Sequence, residues 1–199
     1  MRVSRAKAAE NRERIVDTAS RLFREKGFDG VGVDAIMKGA GLTHGGFYGH
    51  FRSKDDLAAE AVTRALDRSM ERQRRFSNLD DLVSDYLSER HRSDRANGCA
   101  LAALGGDIVR QSEGVRRGLT AYVREQLDRF AGLFSDGAAG NRRKRAIAAL
   151  AGTTGALILA RAVDEPALSD EILAVARDAF GTAPSALQSR RVGGRGRRG

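Results

Sequence analysis

VDAIMKGAGLTHGGFYGHFRSK, residues 33–54, is the stretch that decides the fold. Val33, Ile36, Met37 and Ala40 recur at helical spacing, so Val33–Ala40 reads as a short helix with one apolar face. Gly41 stands where a chain leaving a helix needs a left-handed residue, a conformation glycine takes without steric cost. Leu42 then turns back towards the core, and the Thr43 hydroxyl is placed to cap a second helix from about His44 to His50. Phe47 and Phe51 are the apolar anchors of that helix. Helix, glycine turn and helix in this order form the helix-turn-helix unit.

Gly45, Gly46 and Gly49 strip side chains from much of the second helix. Each costs about 0.8–1 kcal/mol relative to alanine in a helix interior. Selection for stability alone does not place three glycines there, whereas close approach of the backbone to an outside surface does. The second helix of such a unit lies in the DNA major groove. Thr43, His44, Tyr48 and His50, followed by Lys54, project from it and suit phosphates or base edges. An ordinary αα-hairpin with a solvated polar face is the competing reading.

Three runs carry a family resemblance: Ile36-x3-Ala40-Gly41-Leu42-Thr43, Phe47-Tyr48-Gly49-His50-Phe51, and Ser53-Lys54-Asp55-x-Leu57. Together they resemble the TetR family of transcriptional regulators, in which the pattern runs I-x3-A-G-V-S/T, Y-x-H-F and S/N-K-x-x-L. The likeness is close over the first quarter of the chain; beyond it, only the all-helical layout and the length agree. Gly32 departs from the threonine usual at that helix start, and glycine remains a tolerable N-cap.

The resemblance implies an all-α homodimer. Each chain would have a three-helix helix-turn-helix head at residues 1–52, a ligand-binding and dimerising body at 53–183, and a basic tail at 184–199. It implies phosphate contacts from Tyr48 and Lys54, and a Thr43 that caps the second helix and bonds a phosphate. His44 and Gly45 would face base edges, and His50 the DNA backbone. The partner it implies is double-stranded, two-fold symmetric operator DNA, from which a small-molecule inducer releases the protein, in this family most often a repressor.

Charge distribution supports a nucleic-acid end. The formal net charge is +9; residues 1–54 carry +5, residues 184–199 another +5, and the intervening body −1. Positive charge gathered at the motif and the tail is the electrostatic footprint of DNA binding. Arginine as a default surface residue is the bland alternative. A sequence-nonspecific, nucleoid-type basic protein is the other functional class, and it predicts steep salt dependence without sequence preference.

Composition narrows the remaining classes. Apolar residues at 41% and charged residues at 31% suit a globular protein. Ala146–Val163 is the only stretch worth testing as a membrane span; Arg161, glycines and threonines interrupt it, and it reads as an all-round apolar buried helix. The N-terminal residues show no apolar run of a secretory signal. One cysteine, Cys99, rules out an internal disulfide framework and fits a reducing cytoplasm. No phosphate-cradling loop, paired zinc ligands or nucleophile elbow is present, so the expectation is a non-enzyme without cofactor or metal.

Around the motif, the pattern predicts helices over about Glu10–Lys26, from Ser53 towards Arg75, and over Leu79–Arg90. Met1–Ala9 reads as a loosely ordered arm, with Arg5 and Lys7 in reach of phosphates. Residues 91–98 read as a polar loop, 99–111 as a short helix interrupted by Gly105-Gly106, and Val115–Phe134 as a long helix. Residues 135–145 read as a loop, and Pro166 separates Ala146–Val163 from a last helix over Ser169–Phe180. Ser185–Gly199 lacks core-forming residues and reads as disordered. The resemblance makes the last two long helices a four-helix interface with their symmetry mates.

Candidate ligand-lining residues are Tyr86, His91, Cys99, Tyr122 and Phe130, with Phe134 beside them, because they offer aromatic surface and a few polar groups. Cys99 opens an apolar helix, where a thiol pKa can fall. Its Gly98-Cys99 pair resembles a subset of the family in which some members sense electrophiles; a small core hydrophobe is the other reading. His91 and Cys99 lack further ligands at useful spacing for a metal.

Overall fold

The computed structural model describes residues 4–134 and 137–181. The tail at 184–199 lies outside them. Among the described residues the chain forms α1 (Arg5–Lys26), α2 (Val33–Gly39), a 3₁₀ helix (His44–Gly49), α3 (Lys54–Arg74), α4 (Leu79–Tyr86) and α5 (Glu89–Ser93). It continues through α6 (Ala100–Ile108), α7 (Glu113–Leu133), α8 (Ala139–Ala162) and α9 (Pro166–Phe180), with no strand. The fold class is all-α.

The N-terminal arm is helical from Arg5, because the Ser4 hydroxyl caps α1 by accepting from the Lys7 N–H, and Lys7 pairs with Glu10 at 2.8 Å. One face of α1 buries Ile15, Ala19 and Phe23 against Leu57, Ala61 and Ala65 of α3. Ion pairs rim this seam: Arg12 grips Glu60, Arg64 holds Glu13 (2.5 Å) and Asp17 (2.6 Å), and Arg68 shares Asp17 at 2.9 Å. Such partly exposed pairs each contribute about 0–1 kcal/mol. Burying a large apolar side chain contributes about 1.5–3 kcal/mol, so the apolar seam carries the packing.

The Ser53 hydroxyl accepts from the Asp56 N–H to cap α3, and Asp55 and Asp56 sit at the positive end of its dipole. The helix expected over Leu79–Arg90 is two. Leu87 leaves helical geometry, and the Ser88 hydroxyl starts α5 by accepting from the His91 N–H at 3.2 Å. The polar segment expected from residue 91 therefore begins inside a helix. The charge run Arg142–Arg145, expected in a loop, occupies the first turns of α8, and α9 starts at Pro166, whose fixed φ suits a first helical position.

Two apolar clusters result. One joins the head to α3, α6 and the start of α7; the other fills the space between α4, α7, α8 and α9. α8 is long and apolar enough to cross a membrane by length and composition, and 44% of its apolar window is buried. The expectation of an all-round covered helix fails on one face. Leu159, Leu168 and Val175 of α8 and α9 stay exposed, around a groove of about 510 Å³.

The Phe180 ring lies against Gly152, where an added Cβ would fall 2.0 Å from a ring carbon. Gly152→Ala is expected to expel the ring and cost about 1–3 kcal/mol, as overpacking does. The check is a denaturant midpoint that falls without a change in slope.

Candidate functional site

The helix-turn-helix forms as the spacing predicts, with two local differences. Gly41 adopts φ +67°, and its neighbour Ala40 gives its carbonyl to the Arg14 guanidinium, tying the turn to α1. Gly32 caps α2 with an extended backbone and no side-chain bond. The second helix is 3₁₀ over His44–Gly49, and Thr43, at the N-cap position, makes no side-chain capping bond. Three glycines in six residues remove the propensity that sustains an α-helix, which leaves a tight single turn held from below.

Phe47 and Phe51 hold it. Both are buried, with ring centroids 5.7 Å apart, and the Arg12 guanidinium lies 4.6 Å from the Phe51 ring. Outward, Tyr48 is 72% exposed, and Gly45 and Gly49 face open space. Thr43 and His44 are exposed and His50 is half-buried. The His44 Nδ1 stands 3.7 Å from an Asp34 carboxylate oxygen. Lys54 is less free than expected, since its ammonium donates to the Phe28 carbonyl at 2.6 Å, which leaves two N–H groups for other acceptors. Thr43, His44, Gly45, Tyr48, His50 and Lys54 thus belong to one end of the molecule.

In the body, Tyr86, His91 and Cys99 meet on a cavity that Ser69, Arg72 and Gln73 of α3 also line. Counting its mouth it spans about 300 Å³, but its enclosed part is about 20 Å³, room for one water-sized molecule. Gln73 is buried and its Oε1 has no hydrogen-bond partner. The α3 residues were not among the candidates. Their signal was the polar pair Ser69 and Gln73 at i, i+4, interrupting an otherwise apolar face that holds Leu66 and Met70.

His91 Nδ1 donates to the Tyr86 carbonyl at 2.6 Å, and Nε2 accepts the Cys99 N–H at 2.9 Å. That pairing requires the neutral ring. Burial, then the cations of Arg161 and Arg72, push its pKa down to about 4, against the pull of the Tyr86 carbonyl and Asp85. Cys99 is the N-cap of α6 and is buried. The Tyr86 and Tyr122 phenols neighbour its thiol, and burial first, then this neighbour, raise both well above their usual pKa. Tyr122 does not line the cavity but lies beside Cys99 and Ser69, which do. Phe130 packs in the core and Phe134 lies under Arg145 at 4.0 Å, so neither lines the cavity.

Comparison with known proteins agrees with this geometry. Residues 15–61 match the family described as bacterial regulatory proteins, tetR family. An HTH-type transcriptional regulator of Staphylococcus aureus (strain bovine RF122 / ET3-1) is 35% identical over 82 residues, 41% of this chain and 43% of the relative. Another, from S. aureus strain USA300, is 40% identical over 63 residues, 32% of this chain and 34% of that one. The chain thus spans less than half the length of these curated relatives.

Among solved structures, a TetR-family transcriptional regulator from Cytophaga hutchinsonii superposes with TM-score 0.71 at 18% identity, covering 90% of this chain and 96% of its own. The reduced form of Escherichia coli NemR superposes with TM-score 0.67 at 21% identity, covering 86% and 95%. These two extend the likeness in fold, and in fold alone, to the body. The head thus matches the tetR family over residues 15–61, and the architecture of the chain is similar to that of solved TetR-family regulators.

Proposed function

We propose that this chain is a DNA-binding transcriptional regulator, acting as a homodimer on a two-fold symmetric operator and released from it by a small molecule. The observation that carries the reading is the head surface. Tyr48 stands exposed above two buried phenylalanines, flanked by glycines with no side chains and by Thr43, His44, His50 and Lys54. Such a surface lets a backbone approach a groove while a few polar groups reach phosphates and base edges.

A second copy of the chain is the occupant proposed for the uncovered face of α8 and α9. Leu159 and Val175, 57% and 61% exposed, flank a groove where Gly155 opens onto free space and permits close helix approach. Two heads on one dimer would demand half-sites about one helical turn or more apart. The cavity at Tyr86, His91 and Cys99 is the proposed inducer site, and a bound molecule would favour a head separation unsuited to the operator. A single thiol suits the cytoplasm as the working compartment.

The test is fluorescence anisotropy on a duplex selected by the protein from a randomised pool, with scrambled DNA as competitor. Operator binding that survives competitor is expected, and Tyr48→Ala should weaken it at least tenfold while the head stays folded. Equal affinity for scrambled DNA would replace this reading with nonspecific, charge-driven binding. Undiminished affinity in the variant would remove Tyr48 from the interface.

A further inference from the structure

We propose that the segment His91–Cys99 is a joint through which the body cavity acts on the DNA-binding head, with Arg24 as its positioning residue on the head side and Arg72 on the cavity side. This builds on the reading of the head as a DNA reader and adds a route through α1 to any swing of α3.

The segment is held by arginines from three separate helices. Arg24 of α1, 4% exposed, donates Nε to the Ala96 carbonyl at 2.7 Å. Arg72 of α3 donates to the Asn97 carbonyl. Arg161 of α8 donates to the His91 and Arg92 carbonyls at 2.7 and 3.1 Å, and Arg95 returns a bond to the Arg161 carbonyl at 3.1 Å. The Asp94 carboxylate accepts the Asn97 N–H at 3.1 Å, and the His91 ring closes the far end on the Cys99 N–H.

Gly98 has no room for a side chain. A Cβ there would lie 2.7 Å from the Asp94 carbonyl oxygen and 2.8 Å from an Arg161 nitrogen. Glycine at this position is what lets the Asp94 carbonyl and Arg161 close on the segment.

Arg24 is an expensive residue to place here. Its burial, with Arg68 and Arg72 close by, lowers its pKa to about 10, and a neutral carbonyl accepts its Nε–H. A purely structural link between α1 and the body would be cheaper with an apolar side chain.

The cavity explains the position. Its enclosed space holds only a water-sized molecule, so anything larger must displace wall groups, and Arg72, His91 and Cys99 are wall groups that are also parts of the joint. Moving Arg72 or Cys99 shifts the peptides at residues 97–99, and the bond at Ala96 passes that shift to α1. α1 carries Arg14, which holds the carbonyl of the helix-turn-helix turn.

A double-mutant cycle on the full chain tests this, read as affinity for the selected duplex. Ser69→Leu fills the cavity without a ligand and is expected to weaken binding about tenfold. With Arg24→Gln present, the same filling should weaken it less than threefold. Additive effects would make Arg24 a local staple and overturn the joint, as would a Ser69→Leu protein that binds DNA like the parent.

If Arg24→Gln does not fold, Arg24→Lys keeps the charge and removes the Nε donor. If the parent retains no duplex at all, the DNA reading fails, and the joint is judged by hydrogen exchange. Ser69→Leu should then raise exchange at residues 20–27 as well as 94–99, and a change confined to 94–99 would overturn it.

Discussion

Phe47→Ala is expected to melt the 3₁₀ turn proposed to read DNA while leaving the body folded. The 3₁₀ helix His44–Gly49 has three glycines and no side-chain cap, so it has little stability of its own. What holds it is the Phe47 side chain, buried to 1% exposure, stacked on Phe51 and met edge-on by Tyr48 at 5.3 Å. Truncation of a buried phenylalanine costs about 3–5 kcal/mol. The aromatic pairs add about 0.5–1.5 kcal/mol to what is lost. Hydrogen exchange should show protection lost over residues 33–51 and kept in α7 and α8, together with loss of operator affinity. A variant that keeps both protection and affinity would show that the turn is held by Leu42 and the backbone instead. The contrast with Tyr48→Ala is the informative one. Two adjacent aromatics should separate into a residue that holds the reading surface and a residue that is the reading surface.

The burial of Phe47 and the exposure of Tyr48 were legible in the sequence because their signals are local. Helical spacing, the left-handed glycine and the Ser53 cap all act within four residues, and each takes the geometry its chemistry requires. The departures come from competition or distance. A 3₁₀ turn replaces an α-turn where glycine removes the preference between them. Leu79–Arg90 splits because Ser88 offers the chain a second N-terminus inside an apolar pattern that continues past it.

The cavity and its joint were largely hidden, and for a physical reason. Arg24 lies in a helix whose neighbouring arginines are solvated, and its acceptor is 72 residues away. Nothing in the spacing of α1 distinguishes a buried cation from an exposed one. Tyr86, His91 and Cys99 could be singled out as residue types, but Ser69, Arg72 and Gln73 join them only through the packing of α3 against the start of α6. Phe130 and Phe134, which with Tyr122 are the pocket candidates outside the cavity lining, show the same limit, since an aromatic on an apolar helix face is core unless a polar group stands beside it.

His91 sets the second large effect, a loss of stability on acidification. Its folded pKa of about 4 lies below the unfolded value of 6.5, so between those values the unfolded chain binds more protons. Stability from this group is therefore complete above the unfolded pKa and drains away as pH falls towards 4. At 1.36 kcal/mol per pKa unit the loss approaches about 3 kcal/mol. The bonding explains the direction: a protonated ring would turn Nε2 into a donor facing the Cys99 N–H, beside Arg161 and Arg72. Denaturant unfolding at pH 7.5 and 4.5 measures it, with His91→Gln as the reference whose carboxylates titrate alike. The parent should lose about 2–3 kcal/mol more than the variant over that interval. Equal losses would mean that His91 takes up its proton in the folded chain as readily as in the unfolded one, and that the ring is not locked between Tyr86 and Cys99. Because the same ring closes the segment that carries Arg24 and Arg72 contacts, acid should also loosen the bond between α1 and the body before the apolar clusters give way.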